Sequence, residues 1–260
     1  MANEILLSTL VNGVTQITLN RPEKRNALDG VTIKAFADAL TQLKTDAQTR
    51  VVVIANNGEH FCAGGDLAWM QKMATSSHEE NVADALSLAM LLKALYTFPK
   101  PTIALVQGAA MGGGLGILAS CDMVIAANNT QFCFSEAKIG LTPSVISPYV
   151  IAAIGERAAR YYFLTAELFF AEQACAMGLI QKIVSAENLS AEGLALAQTL
   201  LKNSPLSLIE VKNLVRKVSH AQISDELSQL TAEHLAKMRA SSDAKEGLKA
   251  FLEKRAVKWE

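Results

Sequence analysis

Gly112, Gly113 and Gly114 follow a short apolar run, and a single acid, Glu136, lies beyond the next one. A glycine in a helix interior costs about 1 kcal/mol relative to alanine, so three together require a reason. At a helix start the reason is available. Free N–H groups and the positive end of the dipole favour an anion or a polarised carbonyl oxygen. The alternative is close packing of a helix on a strand. A second segment, His60-Phe61-Cys62-Ala63-Gly64-Gly65-Asp66-Leu67, again sets consecutive glycines after a strand, with N–H groups unobstructed. Its alternative is a tight strand-to-helix turn with Asp66 as the cap. A lone glutamate is ordinarily a solvated surface residue. Glu136, however, sits in sequence among Phe132, Cys133, Phe134 and Ile139. There a carboxyl would be desolvated and its pKa raised, which suits a general acid/base. Donors for a developing negative charge and one carboxylate to move a proton suggest chemistry on a carbonyl. The position inside the glycine-rich helix start that could carry a second acid is Gly116.

Other templates fail. Gly114-Leu-Gly116-Ile-Leu-Ala119 fits a dinucleotide fingerprint, with Glu136 twenty residues past Gly116. The next strand begins at Asp122, which leaves no room for the crossover helix such a unit needs. No Gly-x-Ser-x-Gly elbow, phosphate loop or His-Glu-x-x-His is present. His78-Glu79-Glu80 has Val82 where a second histidine would be required, and the four histidines are scattered. No metal is implied.

The elements that position these residues can be read from apolar patterning. Glu4 to Val11 and Val14 to Leu19 are β-leaning runs joined at Asn12-Gly13, a strong hairpin signal. Asn26-Ala27-Leu28 leads into a helical pattern through about Ala47, and Arg50 to Ala55 is a strand apolar on both faces. Leu67 to Met73 and Glu79 to Tyr96 read as helices, the second with Ala85, Leu88, Ala89, Leu92 and Leu95 on one side. Thr102 to Gln107 is a buried strand, the glycine run opens a helix, and Asp122 to Ala126 is the next strand. This alternation indicates an α/β core with partly parallel strands. From Glu156 the pattern is mainly helical. One segment starts at Ser204-Pro205 and continues through His220, and another runs from Ser224 to about Trp259.

The 260 residues suit one large domain or a domain with an appendage, and half of them are apolar, enough for a sizeable core. A net charge of -1 argues against a nucleic-acid binder that relies on a basic surface. Four cysteines without a Cys-x-x-Cys pair read as buried thiols in a reducing compartment. No signal peptide or membrane-spanning run is visible, so a cytoplasmic protein is expected.

Together these segments resemble the enoyl-CoA hydratase/isomerase (crotonase) superfamily, nearly end to end. Arg21-Pro-Glu-Lys-Arg-Asn-Ala-Leu28 looks like its N-terminal motif. Phe61 to Leu67 and Gly108 to Asp122 look like its two oxyanion-hole segments. The resemblance implies an α/β spiral of ββα units over residues 1–200. A helical region over 201–260 would pack on the core or on a neighbouring subunit of a homotrimer or dimer of trimers. It implies that the Gly65 and Gly113 N–H groups grip the thioester carbonyl of an acyl-CoA, with Glu136 as acid/base. Lys24 and Arg25 become partners for CoA phosphates, and Ala63, Asp66 and Leu67 line the substrate. Coenzyme A enters as part of the substrate, and no separate cofactor is implied.

The family's other catalytic glutamate falls on Gly116. Three functions follow: an enoyl-CoA hydratase, an enoyl-CoA isomerase using the same glutamate, or a non-catalytic acyl-CoA binder. Hydration is favoured because Phe134 to Tyr149 with Gly112 to Gly116 look like hydratases of branched, carboxylated substrates. These are the 3-methylglutaconyl-CoA and carboxygeranoyl-CoA hydratases of leucine and acyclic terpene breakdown. Lys72 and Lys138 are the first cations to examine for the substrate carboxylate. Glu79, Glu80 and Asp84 are candidates to replace the missing acid, each also readable as a solvated helix face.

Overall fold

A computed structural model describes residues 4–219 and 221–259. Met1 to Asn3, and His220 at the expected end of one helix, lie outside them. Strands β1 (Ile5–Val11) and β2 (Gly13–Leu19) form the expected hairpin about Asn12. Helix α1 (Gly30–Thr45) begins later than the sequence suggests. Residues 25–28 are held elsewhere: Leu28 N–H donates to Gly64 O at 2.7 Å, and Ala63 N–H to Arg25 O at 3.0 Å. Asp29 then caps the helix by accepting from Thr32 N–H at 2.8 Å.

Strand β3 (Thr49–Asn56), α2 (Leu67–Met73), α3 (His78–Tyr96), β4 (Thr102–Val106), β5 (Ala109–Met111) and α4 (Gly113–Ser120) follow. Then come β6 (Met123–Ala127), β7 (Gln131–Cys133), α5 (Ser147–Thr165), β8 (Phe169–Phe170), α6 (Ala171–Ala176) and β9 (Lys182–Val184). Helices α7 (Leu189–Leu201), α8 (Pro205–Val218), α9 (Asp225–Ala240) and α10 (Ser242–Leu252) complete the described chain.

Several expectations are corrected. The short strand β5 intervenes between β4 and the glycine run. The helical stretch placed after Glu156 starts at Ser147, with Pro148 in its first turn. The single helix expected from Ser224 is two, because Ser241 ends α9 and caps α10 through Ala244 N–H at 3.1 Å. Helix α3 buries Leu91, Leu92 and Leu95, whereas Ala85 is exposed.

A six-stranded sheet has the order β1-β2-β3-β4-β6-β9, parallel apart from the β1–β2 pair. Its apolar strands divide their side chains between two cores, as strand periodicity demands. Val51, Val53, Ile103, Leu105 and Ile125 face Leu189 and Ala197 of α7. Val52, Ile54, Ala104 and Val106 face the larger core with residues from α1, α3, α4 and α5. The second sheet, β5-β7-β8, is small. It is braced by Phe132, Phe134 and Phe169, with ring centroids 5.4 Å apart for Phe132–Phe169 and 5.7 Å for Phe134–Phe169.

Candidate active site

Parallel pairing assembles the site. Cys62 bridges Ala110, with Cys62 N–H donating to Ala109 O at 3.1 Å and Met111 N–H to Cys62 O at 2.8 Å. Ala110 in turn pairs with Phe132, and Gly112 N–H donates to Cys133 O at 3.1 Å. Parallel register carries equivalent positions forward together. Gly65, Gly113 and Glu136 therefore emerge side by side just past three aligned segment ends. A ligand crevice beyond the carboxyl ends of parallel strands is a recurrent arrangement in α/β proteins.

The donor directions follow from the backbone. Leu28 accepts from Asp66 N–H at 2.8 Å and donates to Gly64 O, so the intervening Gly65 N–H points away from Leu28. On that far side lies Gly112, whose Cβ position would be 3.8 Å from Gly64 Cα. Gly113 is the first residue of α4, where an N–H has no partner within the helix. Among the described residues, neither the Gly65 nor the Gly113 N–H donates a hydrogen bond.

Glu136 opens the 3-10 turn Glu136–Ile139. Its Oε2 is buried without a hydrogen-bond partner, and burial pushes its carboxyl above the ordinary glutamate value. The desolvating neighbours differ from those expected in one respect: Phe132, Cys133 and Phe134 are buried, but Ile139 is 59% exposed. Closer cover comes from α4, since a Cβ on Gly112 would lie 3.1 Å from Glu136 Oε1. Gly112 also holds φ at +45°, which a side chain would disfavour.

The remaining candidates gather at one cleft of about 360 Å3, lined by Lys24, Arg25, Ala63, Gly65, Asp66 and Leu67. Lys24 and Arg25 are exposed, and neither side chain has a partner among the described residues. Leu67 is 80% exposed at the mouth. Asp66 takes the capping alternative: its Oδ1 accepts from Ala68 N–H at 3.0 Å and Trp69 N–H at 3.2 Å. Burial alone would raise the Asp66 carboxyl, but these N–H groups and Arg21, 3.2 Å away, hold it below its ordinary value. Arg21, whose place here carries no local sequence signal, also reaches Asp29 at 3.0 Å and Ala27 O at 2.8 Å.

The three acids considered as substitutes for the one absent at Gly116 are exposed or engaged elsewhere. Glu80 closes a capping box with Ser77, Asp84 accepts from Trp69 Nε1 at 2.9 Å, and Glu79 is exposed. The space is itself filled, because a Cβ on Gly116 would lie 2.4 Å from Ile146 Cγ2 and 3.1 Å from Leu92 Cδ1. Lys72 lies 5.0 Å from the Trp69 ring centroid, and Lys138 Nζ lies 3.9 Å from Cys133 Sγ. Among the described residues no cluster of metal-ligating side chains occurs, and no helix is long and apolar enough to cross a membrane.

With its helical C-terminal region, this two-sheet architecture is the crotonase fold. A model of the enoyl-CoA hydratase/isomerase family matches residues 9–260. The chain belongs to that family. A solved enoyl-CoA hydratase from Shewanella pealeana is 43% identical with a TM-score of 0.95, covering 98% of this chain and 96% of that one. Over 257 residues the chain is 31% identical to the crotonyl-CoA hydratase of Syntrophomonas wolfei, covering 98% of this chain and 97% of the relative. Over 246 residues it is 32% identical to the mevalonyl-coenzyme A hydratase of Aspergillus fumigatus, covering 94% and 90%.

Proposed function

We propose that this protein adds water to an α,β-unsaturated acyl-CoA, using Glu136 as its single acid/base. The observation that carries this reading is the register that sets two unpaired N–H groups, of Gly65 and Gly113, beside a half-buried carboxylate whose Oε2 is buried without a partner. The thioester oxygen accepts from both N–H groups, which polarises the conjugated double bond. Glu136 takes a proton from water as the hydroxyl adds at Cβ, and the resulting enolate charge rests on the same oxygen. The protonated Glu136 then returns that proton to Cα, leaving a 3-hydroxyacyl-CoA and the starting carboxylate. Lys24 and Arg25 meet CoA phosphates at the cleft, while Ala63 and Leu67 line the thioester arm. Asp66 contributes through the turn it caps. No cofactor takes part.

Glu136→Gln is the direct test. Turnover should fall by about 10² to 10⁴, while titration calorimetry still detects acyl-CoA binding. Undiminished turnover would remove Glu136 from the mechanism.

A second reading, double-bond isomerisation, is favoured by one observation: Ile146 and Leu92 occupy the space beside Gly116 where another water-holding acid would project. Glu136 would then carry a proton from one carbon to another. Mass spectrometry of the product separates the two, since only hydration adds a water.

For the acyl group, we favour a branched, carboxylated chain such as 3-methylglutaconyl, supported by the stretch Phe134 to Tyr149. Lys138 would meet its carboxylate, being two residues from Glu136 and exposed. Lys138→Met should raise KM about tenfold for the carboxylated substrate and leave crotonyl-CoA unaffected. An equal effect on both substrates would remove Lys138 from recognition. Assembly as a trimer is part of the proposal, supported by exposed Leu248, Phe251 and Leu252 on α10 and tested by light scattering.

A further inference from the structure

Between Glu136 and Ile146 the chain runs along the surface, and none of residues 137–145 is buried. Ile146 itself is only 2% exposed. The two ends of this segment dock on the same helix, at two positions without side chains. Glu136 Oε1 lies 3.1 Å from where a Gly112 Cβ would be, and Ile146 Cγ2 lies 2.4 Å from where a Gly116 Cβ would be. Gly112 and Gly116 are one helical turn apart, with Gly116 N–H donating to Gly112 O at 3.4 Å. Between them sits Gly113, whose N–H is the α4 donor of the site.

Ile146 cannot swing aside easily. Its branched Cβ restricts χ1. Its backbone is pinned as well, with Tyr149 and Val150 N–H donating to Ile146 O at 3.1 Å and Ser147 N–H to Pro143 O at 2.9 Å. A Gly116 Cβ would also stand 3.0 Å from Ile146 Cβ, a contact that no rotamer change relieves. A side chain at 116 therefore requires α4 and the Ile146 end of the segment that carries Glu136 to separate.

We infer that the Ile146–Gly116 contact is a spacer that fixes the Glu136 carboxylate at its working distance from the Gly113 N–H. Ile146 is thus a positioning residue, and it touches no substrate atom. The inference rests on the reading of Glu136 as acid/base. Displacing a reacting group by about 1 Å is enough to slow a reaction about a hundredfold. Both N–H donors and the Lys24–Arg25 cleft lie outside the contact, so substrate binding should survive its disturbance.

The test is a double-mutant cycle on the purified protein with an enoyl-CoA that it turns over. Gly116→Ala should lower kcat by about tenfold to a hundredfold with KM nearly unchanged. Ile146→Ala, which leaves a gap, should also lower kcat. The double variant, which exchanges volume across the contact, should recover most of the loss. Ile146→Val keeps both branches at Cβ and should retain wild-type kcat; if Gly116→Ala does not fold, the loss in Ile146→Ala against its absence in Ile146→Val carries the test. Gly116→Ala or Ile146→Ala folded and at wild-type kcat, or losses that simply add in the double variant, would overturn the spacer. Glu136→Gln measured alongside separates the failures. If it is inactive while the single variants turn over normally, only the spacer is lost. If it is fully active, the reading of Glu136 falls first.

Discussion

Glu136 is costly to the fold in the form that the reaction needs. Its carboxyl is half-buried, its Oε2 is buried without a partner, and burial raises its pKa. The folded state therefore holds the proton more tightly than the unfolded chain. Stability from this group is complete below the ordinary glutamate pKa and is lost as pH rises through the elevated one. Glu136→Gln should accordingly raise Tm at neutral pH and flatten its decline from acid to neutral, as calorimetry across pH would show. Activity runs the other way, since water attack requires the ionised carboxylate. The rising limb of kcat/KM should lie above the ordinary glutamate range and vanish in the residual activity of Glu136→Gln. Cys133 and Lys138 are the titratable neighbours; burial raises the Cys133 thiol further from neutrality, which leaves that limb to Glu136.

At the scale of elements, the site is a set of short extended segments laid in register, and a polar buckle holds their edge. Asn26 is buried with φ at +54°. Its side chain accepts from Arg21 N–H at 2.8 Å and donates to Asn57 O at 2.9 Å and His60 O at 2.8 Å. These bonds tie the turn before α1 to the loop that delivers Gly64 and Gly65. Asn26→Ala removes three bonds and strands the Arg21 N–H, while Asn56 Nδ2 still reaches His60 O at 3.0 Å, so it should cost about 2 kcal/mol in urea unfolding. Because Leu28 orients the Gly65 N–H through this pairing, kcat should fall as well. Arg21 supports the same edge through Asp66 and Asp29, which explains why an arginine followed by a helix-breaking proline sits far in sequence from the chemistry.

At the scale of the molecule, the C-terminal helices are fastened to the opposite end of the sheet. Lys212 of α8 donates to Asp122 Oδ2 at 2.5 Å and to Lys100 O at 2.9 Å, and Asp122 also accepts from Thr102 N–H at 2.8 Å. One carboxylate thus joins the starts of β4 and β6 to α8. Asp122→Ala would leave the largely buried Lys212 ammonium without its anion and should destabilise the protein by about 3 kcal/mol. Since the donors and Glu136 lie at the far ends of the parallel strands, kcat of the folded fraction should be unchanged. Chemical denaturation with activity measured in parallel checks both halves of that expectation.

Some of this was written locally in the chain. The hairpin at Asn12-Gly13, the apolar strands Arg50 to Ala55 and Thr102 to Gln107, each within a residue of β3 and β4, and the bounds of α2 follow from short-range patterning, because side-chain period and turn chemistry act over a few residues. The glycine runs and Glu136 stood out for the same reason: their residue types are expensive unless something uses them. Strands β5, β7, β8 and β9 were invisible, being two or three residues long and held only by partners distant in sequence. The pairing of Asp66 with Arg21 and the exposure of Ile139 depended on packing that no local pattern encodes. Gly116 shows the division most clearly. The sequence announced a missing acid there, and only the tertiary structure decided that Ile146, thirty residues on, fills its place.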